Sequence, residues 1–242
     1  MPDKRLLLLS NSKNYNQGYL EHALDLIKDL LGESVKTVLF IPFAGVTFTF
    51  GEYAARVGER FAEAGYRIAS IHETADAKEA VGRAEAIAVG GGNSFHLLRS
   101  LYEAELLAPI RERVERGVPY IGWSAGSNVA CPTIKTTNDM PIVEPPSLTA
   151  INLVPFQINP HYTDEQVANH QGETREQRLM EFIEVNPGVY TVGLREGSSL
   201  KVTGANGRLL GGRSARVFIK GEPAREYGPE DPLEFLLRDR GV

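Results

Sequence analysis

Through the first half of the chain, apolar runs of five or six residues alternate with segments whose apolar positions recur every three or four residues. The runs 5–10, 37–42, 66–71, 86–90 and 120–124 are rich in Leu, Ile and Val without a regular polar face, the composition of strands covered on both sides. Between them Leu20, Leu24, Ile27 and Leu31 follow at steps of 4, 3 and 4, and Ala54, Val57, Phe61 and Ala64 at 3, 4 and 3. Each set draws one apolar stripe down a helix. A further helix is predicted from about residue 108 to 116, with Pro109 in its first turn and Gly117 at its end, where each is favoured. Strand and helix in turn predict an α/β fold, a mostly parallel sheet with helices on both faces.

The second half reads differently. Residues 131–159 hold Pro132, Pro141, Pro145, Pro146 and Pro155 and predict a long loop, a kind of segment that often carries function. Helix period resumes over 173–184 with Leu179, Phe182 and Ile183 on one side, and 189–194, 199–203 and 216–220 read as closing strands. With no linker, repeat or low-complexity tract, residues 1–242 are expected to form one domain. Composition narrows the partners. Asp+Glu 31 against Lys+Arg 26 gives a net charge of −5, which argues against nucleic acid, and 42% hydrophobic residues suit a globular chain. The four leucines at 6–9 are too few for a signal core or a membrane span. A single cysteine excludes a disulfide framework and fits a reducing compartment, so a cytoplasmic enzyme without membrane association is expected.

Gly122-Trp123-Ser124-Ala125-Gly126 stands where a buried run meets the start of a short helix. It matches G-x-S-x-G, the nucleophile elbow. A serine on so tight a turn occupies strained backbone, small neighbours let the turn close, and the hydroxyl is lifted to the strand's carboxyl end. Gly90-Gly91-Gly92-Asn93 ends the preceding run and opens a helix carrying Phe95, Leu98 and Leu101. Three glycines let bare backbone approach a ligand. The G-x-G-x-x-G spacing of a dinucleotide site fails because position 95 is Phe. The N–H of Gly91 or Gly92, with that of Ala125, is the expected oxyanion hole.

A serine hydroxyl needs a base. Of the five histidines, His22 and His96 fall inside helical patterns and His72 in a polar turn. His161, in Asn159-Pro160-His161-Tyr162, ends an apolar run and is the preferred base over His170. Two carboxylates compete to orient it. Glu196 follows an apolar strand and would be held rigidly; Asp139 lies in the Pro-rich loop. Glu196 is preferred, with Asp139 the alternative. No H-E-x-x-H, paired cysteine or carboxylate-rich loop points to a metal, and no cofactor is expected. Cys131 reads as a small packed residue, and Trp123 as packing or pocket wall.

The chain order Ser, His, Glu departs from the Ser, acid, His order of α/β-hydrolases. It is similar to the nucleophile, His, Glu order of class I glutamine amidotransferases, a flavodoxin-like three-layer sandwich. With GGGN, GWSAGSN, TTNDMPI, NPHYTD and GETREQR taken together, nearly the whole chain resembles the peptidase E family of aspartyl dipeptidases. The resemblance implies Ser124 as nucleophile, His161 as base, Asp139 and Glu196 as the positions for the acid, and an Asp-Xaa dipeptide as substrate. An arginine fork is the natural reader of the aspartate carboxylate. In GETREQR the resemblance favours Arg175, while Arg178 reads as a solvated face with local Glu partners. Asn138 joins Arg175 as an expected substrate contact. The alternatives are a related hydrolase of cyanophycin-type or isoaspartyl peptides, and a non-catalytic amidotransferase-like binding module.

Overall fold

Alternate residues of the central strands feed two separate cores. In β1 (Arg5–Leu9), Leu6 and Leu8 enter one core while Leu7 and Leu9 enter the other. β2 (Thr37–Ile41) and β4 (Ile87–Val89) divide in the same way. That two-sided burial is why these runs carry no polar face. The protein is described by a computed structural model over residues 3–165 and 171–238; His170 lies outside the described residues.

A seven-stranded sheet has the order β3-β2-β4-β5-β1-β8-β9, with β3 spanning Arg67–Ser70, β5 Tyr120–Trp123, β8 Ser198–Thr203 and β9 Asn206–Gly211. β3, β2, β4, β5 and β1 run parallel; β8 is antiparallel to β1 and β9 to β8. On one face pack α1 (Leu24–Leu31) and α2 (Phe50–Glu63), through Ile27, Leu30 and Leu31 and through Tyr53, Val57 and Phe61. On the other pack α3 (Ala77–Arg83), α4 (Ser94–Glu103), α5 (Leu107–Glu115) and the four-residue α6 (Ala125–Asn128). The layered α/β architecture matches expectation.

A second sheet was not foreseen. Its order is β11-β10-β7-β6, formed by β6 (Gln157–Tyr162), β7 (Thr191–Arg195), β10 (Ala215–Phe218) and β11 (Arg225–Tyr227), with α7 (Arg175–Val185) against it. Of the predicted closing strands, the middle one joins the first sheet as β8 and the flanking two become β7 and β10. The predicted loop is shortened, because its last residues are β6. Before β6 the Pro-rich segment is tied down: Ile151 N–H donates to Val129 O at 2.9 Å and Leu153 N–H to Ala130 O at 2.7 Å, with Ile134, Ala150, Ile151 and Phe156 buried.

Because β4, β5 and β1 are adjacent and parallel, their carboxyl ends bring together Gly90–Asn93, Ser124 and Ser10. Ligands in open parallel sheets gather at such ends.

Candidate active site

Ser124 links β5 to α6 with φ 53° and ψ −113°. A non-glycine residue in that region costs about 1–3 kcal/mol and persists only where its surroundings fix it. Here they do. Ser124 N–H donates to Leu9 O at 3.1 Å, and the Ser127 hydroxyl donates to both Leu9 O (2.7 Å) and Gly122 O (2.9 Å). A Cβ at Gly126 would lie 2.1 Å from Val89 O, and one at Gly122 would lie 2.4 Å from Gly126 O. The two glycines of the motif are therefore demanded by the closeness of α6 to β4 and β5. Gly126→Ala should destabilise the fold by about 3 kcal/mol or more through forced separation of α6 from β4, seen as a lower urea midpoint; an unchanged midpoint would show that this contact yields freely.

The Ser124 hydroxyl donates to His161 Nε2 at 2.9 Å, and His161 Nδ1–H donates to Glu196 Oε1 at 2.6 Å. The serine belongs to the first sheet, while His161 rides on β6 and Glu196 follows β7 in the second. In the β6–β7 ladder Pro160 faces Leu194 and Tyr162 faces Arg195, so His161 is the residue of a bulge, with φ 53°. The bulge turns its ring out of the ladder toward the elbow. Expected at a strand end, His161 lies one residue inside the strand.

Ser10, buried at the end of β1, joins the two sheets at this point. Its hydroxyl donates to Leu194 O at 2.7 Å and accepts the His161 N–H at 2.9 Å. Nearby, Asn11 Oδ1 accepts the Gly197 N–H at 2.9 Å, holding the turn that carries Glu196. Neither residue was singled out from sequence. The available signal was a polar pair directly after four buried leucines, at the end of a central strand. Ser10→Ala leaves a buried N–H and a carbonyl unpaired, so about 1–3 kcal/mol of stability should be lost. Activity should fall on the order of tenfold as His161 loses its backbone anchor; activity and urea midpoint both at wild-type values would count against that role.

Asp139 sits elsewhere. Its Oδ2 accepts from Ser94 N–H and the Ser94 hydroxyl, both at 2.7 Å, and from the Thr137 hydroxyl at 3.1 Å. It caps the start of α4 beside Asn93, whose side chain accepts the His96 N–H. Glu196, and not Asp139, is therefore the carboxylate on His161. Asn138, next to it, bridges the two halves of the site. Its Oδ1 accepts from Arg175 Nη1 at 2.5 Å and from Asn159 Nδ2 at 2.7 Å, while its Nδ2 donates to Pro160 O at 2.6 Å. Arg175 opens α7 behind a capping box of Thr174 and Gln177. Desolvation pulls its guanidinium pKa down, neighbouring Arg178 adds to that, and Asp139 opposes it. Arg178 pairs with Glu173 at 3.6 Å on an exposed face.

The glycine loop presses on the nucleophile: a Cβ at Gly91 would lie 3.0 Å from both Ser124 Cβ and Trp123 O, and one at Gly92 would lie 2.1 Å from Ala44 O. Asn93 N–H is already given to Ala44 O at 2.9 Å. Of the residues expected to supply oxyanion donors, Ala125 directly follows Ser124, Gly91 packs against the serine Cβ, and Gly92 lies against Ala44.

Among the described residues, the other histidines stand outside this hydrogen-bonded series. His96 Nδ1 meets Phe43 O at 2.6 Å and His72 Nδ1 meets the Ser70 hydroxyl at 2.6 Å, while burial holds the pKa of His22 down. Cys131 is fully buried, and burial pushes its thiol pKa up, which suits the packed role read from sequence. Trp123 is likewise fully buried and stacks on Phe40 with centroids 5.8 Å apart, so it packs the core and is not a pocket wall.

Arg195, just before Glu196, is anchored by Asp164, Glu226 and the Ser214 carbonyl. Arg195 above all, with Ser214 and Arg216, holds the Glu226 carboxyl down at about 2 against an ordinary 4.5. A depressed folded-state pKa adds stability above the unfolded value and loses it as pH falls toward the folded one. The gap in melting temperature between wild type and Glu226→Gln should therefore be widest above pH 4.5 and close toward pH 2. A gap that does not vary with pH would remove the ion pair from the acid limb.

An α/β sheet with a serine elbow, a histidine and a carboxylate in hydrogen-bonded series defines the class of serine-nucleophile hydrolases. Residues 6–210 match the model of peptidase family S51, and the chain belongs to that family. It is 55% identical over 234 residues to Peptidase E of a Nostoc species, covering 97% of each chain. It is 48% identical over 238 residues to a Drosophila melanogaster protein named "Probable alpha-aspartyl dipeptidase", covering 97% of this chain and 98% of that one. A crystal structure of a peptidase from an acI-B1 actinobacterium shares the fold, with a TM-score of 0.67 at 15% identity over 96% of this chain and 97% of that one. Its substrates are accordingly peptides. No helix among the described residues is long and apolar enough to cross a membrane.

Proposed function

We propose that the chain is a serine dipeptidase that removes an N-terminal aspartate from Asp-Xaa dipeptides. The observation carrying this reading is the unbroken series Ser124 hydroxyl, His161 imidazole, Glu196 carboxylate, with contacts of 2.9 and 2.6 Å. Ser124 Oγ attacks the peptide carbonyl while its proton passes to His161 Nε2, and Glu196 steadies the imidazolium through Nδ1–H. The oxyanion is met by N–H groups of Gly91 or Gly92 and Ala125, about 3 kcal/mol of barrier for each donor. Collapse breaks the C–N bond, and His161 returns the proton to the leaving amine. Water, deprotonated by the same nitrogen, then attacks the aspartyl ester, releasing aspartate and restoring the serine hydroxyl.

Selectivity is assigned to Arg175. Its partner Asn138 accepts a hydrogen bond without cancelling the positive charge, so a substrate carboxylate adds what the free site lacks. A substrate without it leaves a half-buried guanidinium with no carboxylate in its fork, Asp139 acting on it only through space. The nucleophile rides on one sheet and the base and acid on the other, which supports reading residues 1–242 as one functional domain. The single cysteine fits a reducing compartment, and the proposal places the enzyme in the cytoplasm.

A peptide panel tests the reading. Asp-Leu should be cleaved at least about 10²-fold better than Asn-Leu, and better than isoaspartyl-Leu or a β-aspartyl-arginine of cyanophycin type. Preference for either β-linked peptide would move the enzyme to that substrate class, and absence of hydrolysis with every peptide would overturn the proposal.

A further inference from the structure

Behind the nucleophile lies a buried polar cluster that the mechanism above does not use. The Trp123 indole Nε1–H, on the residue preceding Ser124, donates to both the Tyr19 hydroxyl (2.9 Å) and the Tyr53 hydroxyl (3.1 Å). Tyr19 donates to Tyr53 at 3.1 Å, and Tyr53 in turn donates to the Gly91 carbonyl at 2.9 Å. The Tyr53 ring is locked edge-on by Phe40 and Phe48, each with centroids 5.0 Å away, and its oxygen lies 2.6 Å from where a Cβ on Gly90 would be. Burial raises the pKa of both phenols, so each remains a hydrogen-bond donor throughout the neutral range.

A trans peptide is planar, with its carbonyl and N–H pointing opposite ways. Among the described residues every peptide bond is trans. Fixing the Gly91 oxygen toward the core therefore fixes the Gly92 N–H toward the side away from the core. Glycine backbone left to itself samples a wide range of orientations, and three consecutive glycines without an anchor would hold that N–H poorly. We propose that Tyr53 is a positioning residue for catalysis: its hydroxyl, oriented by Tyr19 and Trp123, clamps the Gly91–Gly92 peptide so that the Gly92 N–H faces the developing oxyanion. The inference rests on the serine-peptidase reading above and adds to it a residue that touches no substrate. It also explains why an aromatic residue precedes the nucleophile: Trp123 ties the elbow and the glycine loop to one hydrogen-bonded hub.

The test uses Tyr53→Phe, which keeps the ring and removes only the hydroxyl, with Tyr19→Phe as a companion that leaves the Tyr53–Gly91 bond in place. For Asp-Leu, Tyr53→Phe should lower kcat about tenfold with KM changed less than twofold, since the oxyanion exists only in the transition state. Acylation of Ser124 by p-nitrophenyl acetate, read from the release of p-nitrophenolate, should slow by a similar factor, because that ester needs the same hole but not Arg175. Tyr19→Phe should cost less than threefold in both assays. Wild-type kcat in Tyr53→Phe, a KM rise with kcat intact, or equal losses in the two variants would overturn the assignment to the Gly91 contact. The ester keeps this outcome separate from the substrate question: an enzyme that acylates with it but ignores Asp-Leu would sink the dipeptidase reading and leave the role of Tyr53 decided on the ester alone. A Ser124 that reacts with neither would overturn both.

Discussion

Ser124→Ala should lower kcat for Asp-Leu by about 10⁴- to 10⁶-fold, with little change in KM and no loss of fold. The size follows from the geometry. His161 Nε2 has one protein hydroxyl to deprotonate, at 2.9 Å, and Glu196 has no acylation function without it. Removing Oγ leaves the oxyanion donors and the aspartate site intact, so the residue of activity that survives measures what positioning and electrostatics supply alone. The loss of one oxygen at a partly exposed site creates no core cavity, so the urea midpoint should stay close to wild type. Full activity in a folded variant would end the covalent mechanism.

Arg175→Ala should act on specificity. kcat/KM for Asp-Leu is expected to fall about 10²- to 10³-fold, while the already slow Asn-Leu reaction changes by less than threefold, so discrimination between the two collapses. Asn138 would then lose a donor to its Oδ1 but keep Asn159 there, and its bond to Pro160 O would still anchor the approach to His161. A purely structural arginine would show the opposite pattern, with both substrates slowed alike. Unchanged discrimination would remove Arg175 as the reader of the side-chain carboxylate.

Much of this was legible along the chain because parallel strands and their helices advertise themselves. The five runs predicted as central strands all form, each shorter by one or two residues, since end residues leave the ladder, some of them to enter the turns that carry chemistry. Ser10 and Gly90 are such residues. The elbow was legible for a steric reason: Gly122 and Gly126 are needed where α6 lies against β4 and β5. What escaped was pairing over long separations. Nothing local distinguishes 189–194 from 199–203, yet one pairs with β6 in a second sheet and the other with β1. β9 and β11 were missed because Asn206-Gly207-Arg208 resembles a turn and Arg225-Glu226-Tyr227 is short and charged; each is fixed by its partner strand. α3 was missed for its short, weakly apolar sequence.

The choice between Glu196 and Asp139 illustrates the same division. Rigidity at a strand end favoured Glu196, and that is the carboxylate found on the imidazole. Asp139 was the alternative as a carboxylate in a functional loop and as a position the family resemblance implied; in the structure it holds Ser94 and the start of α4 through three hydrogen bonds. Tyr53 was not singled out, because a phenol's hydrogen-bond partner cannot be read from helical period.

The central claim is that His161 activates Ser124. Its most direct test is labelling with a fluorophosphonate, which bonds phosphorus to an activated serine oxygen and expels fluoride, followed by peptide mapping of the adduct. The account predicts a single adduct on Ser124, formed at least about 10²-fold more slowly in His161→Ala. An adduct on another residue, or equal labelling rates in the two proteins, would contradict it.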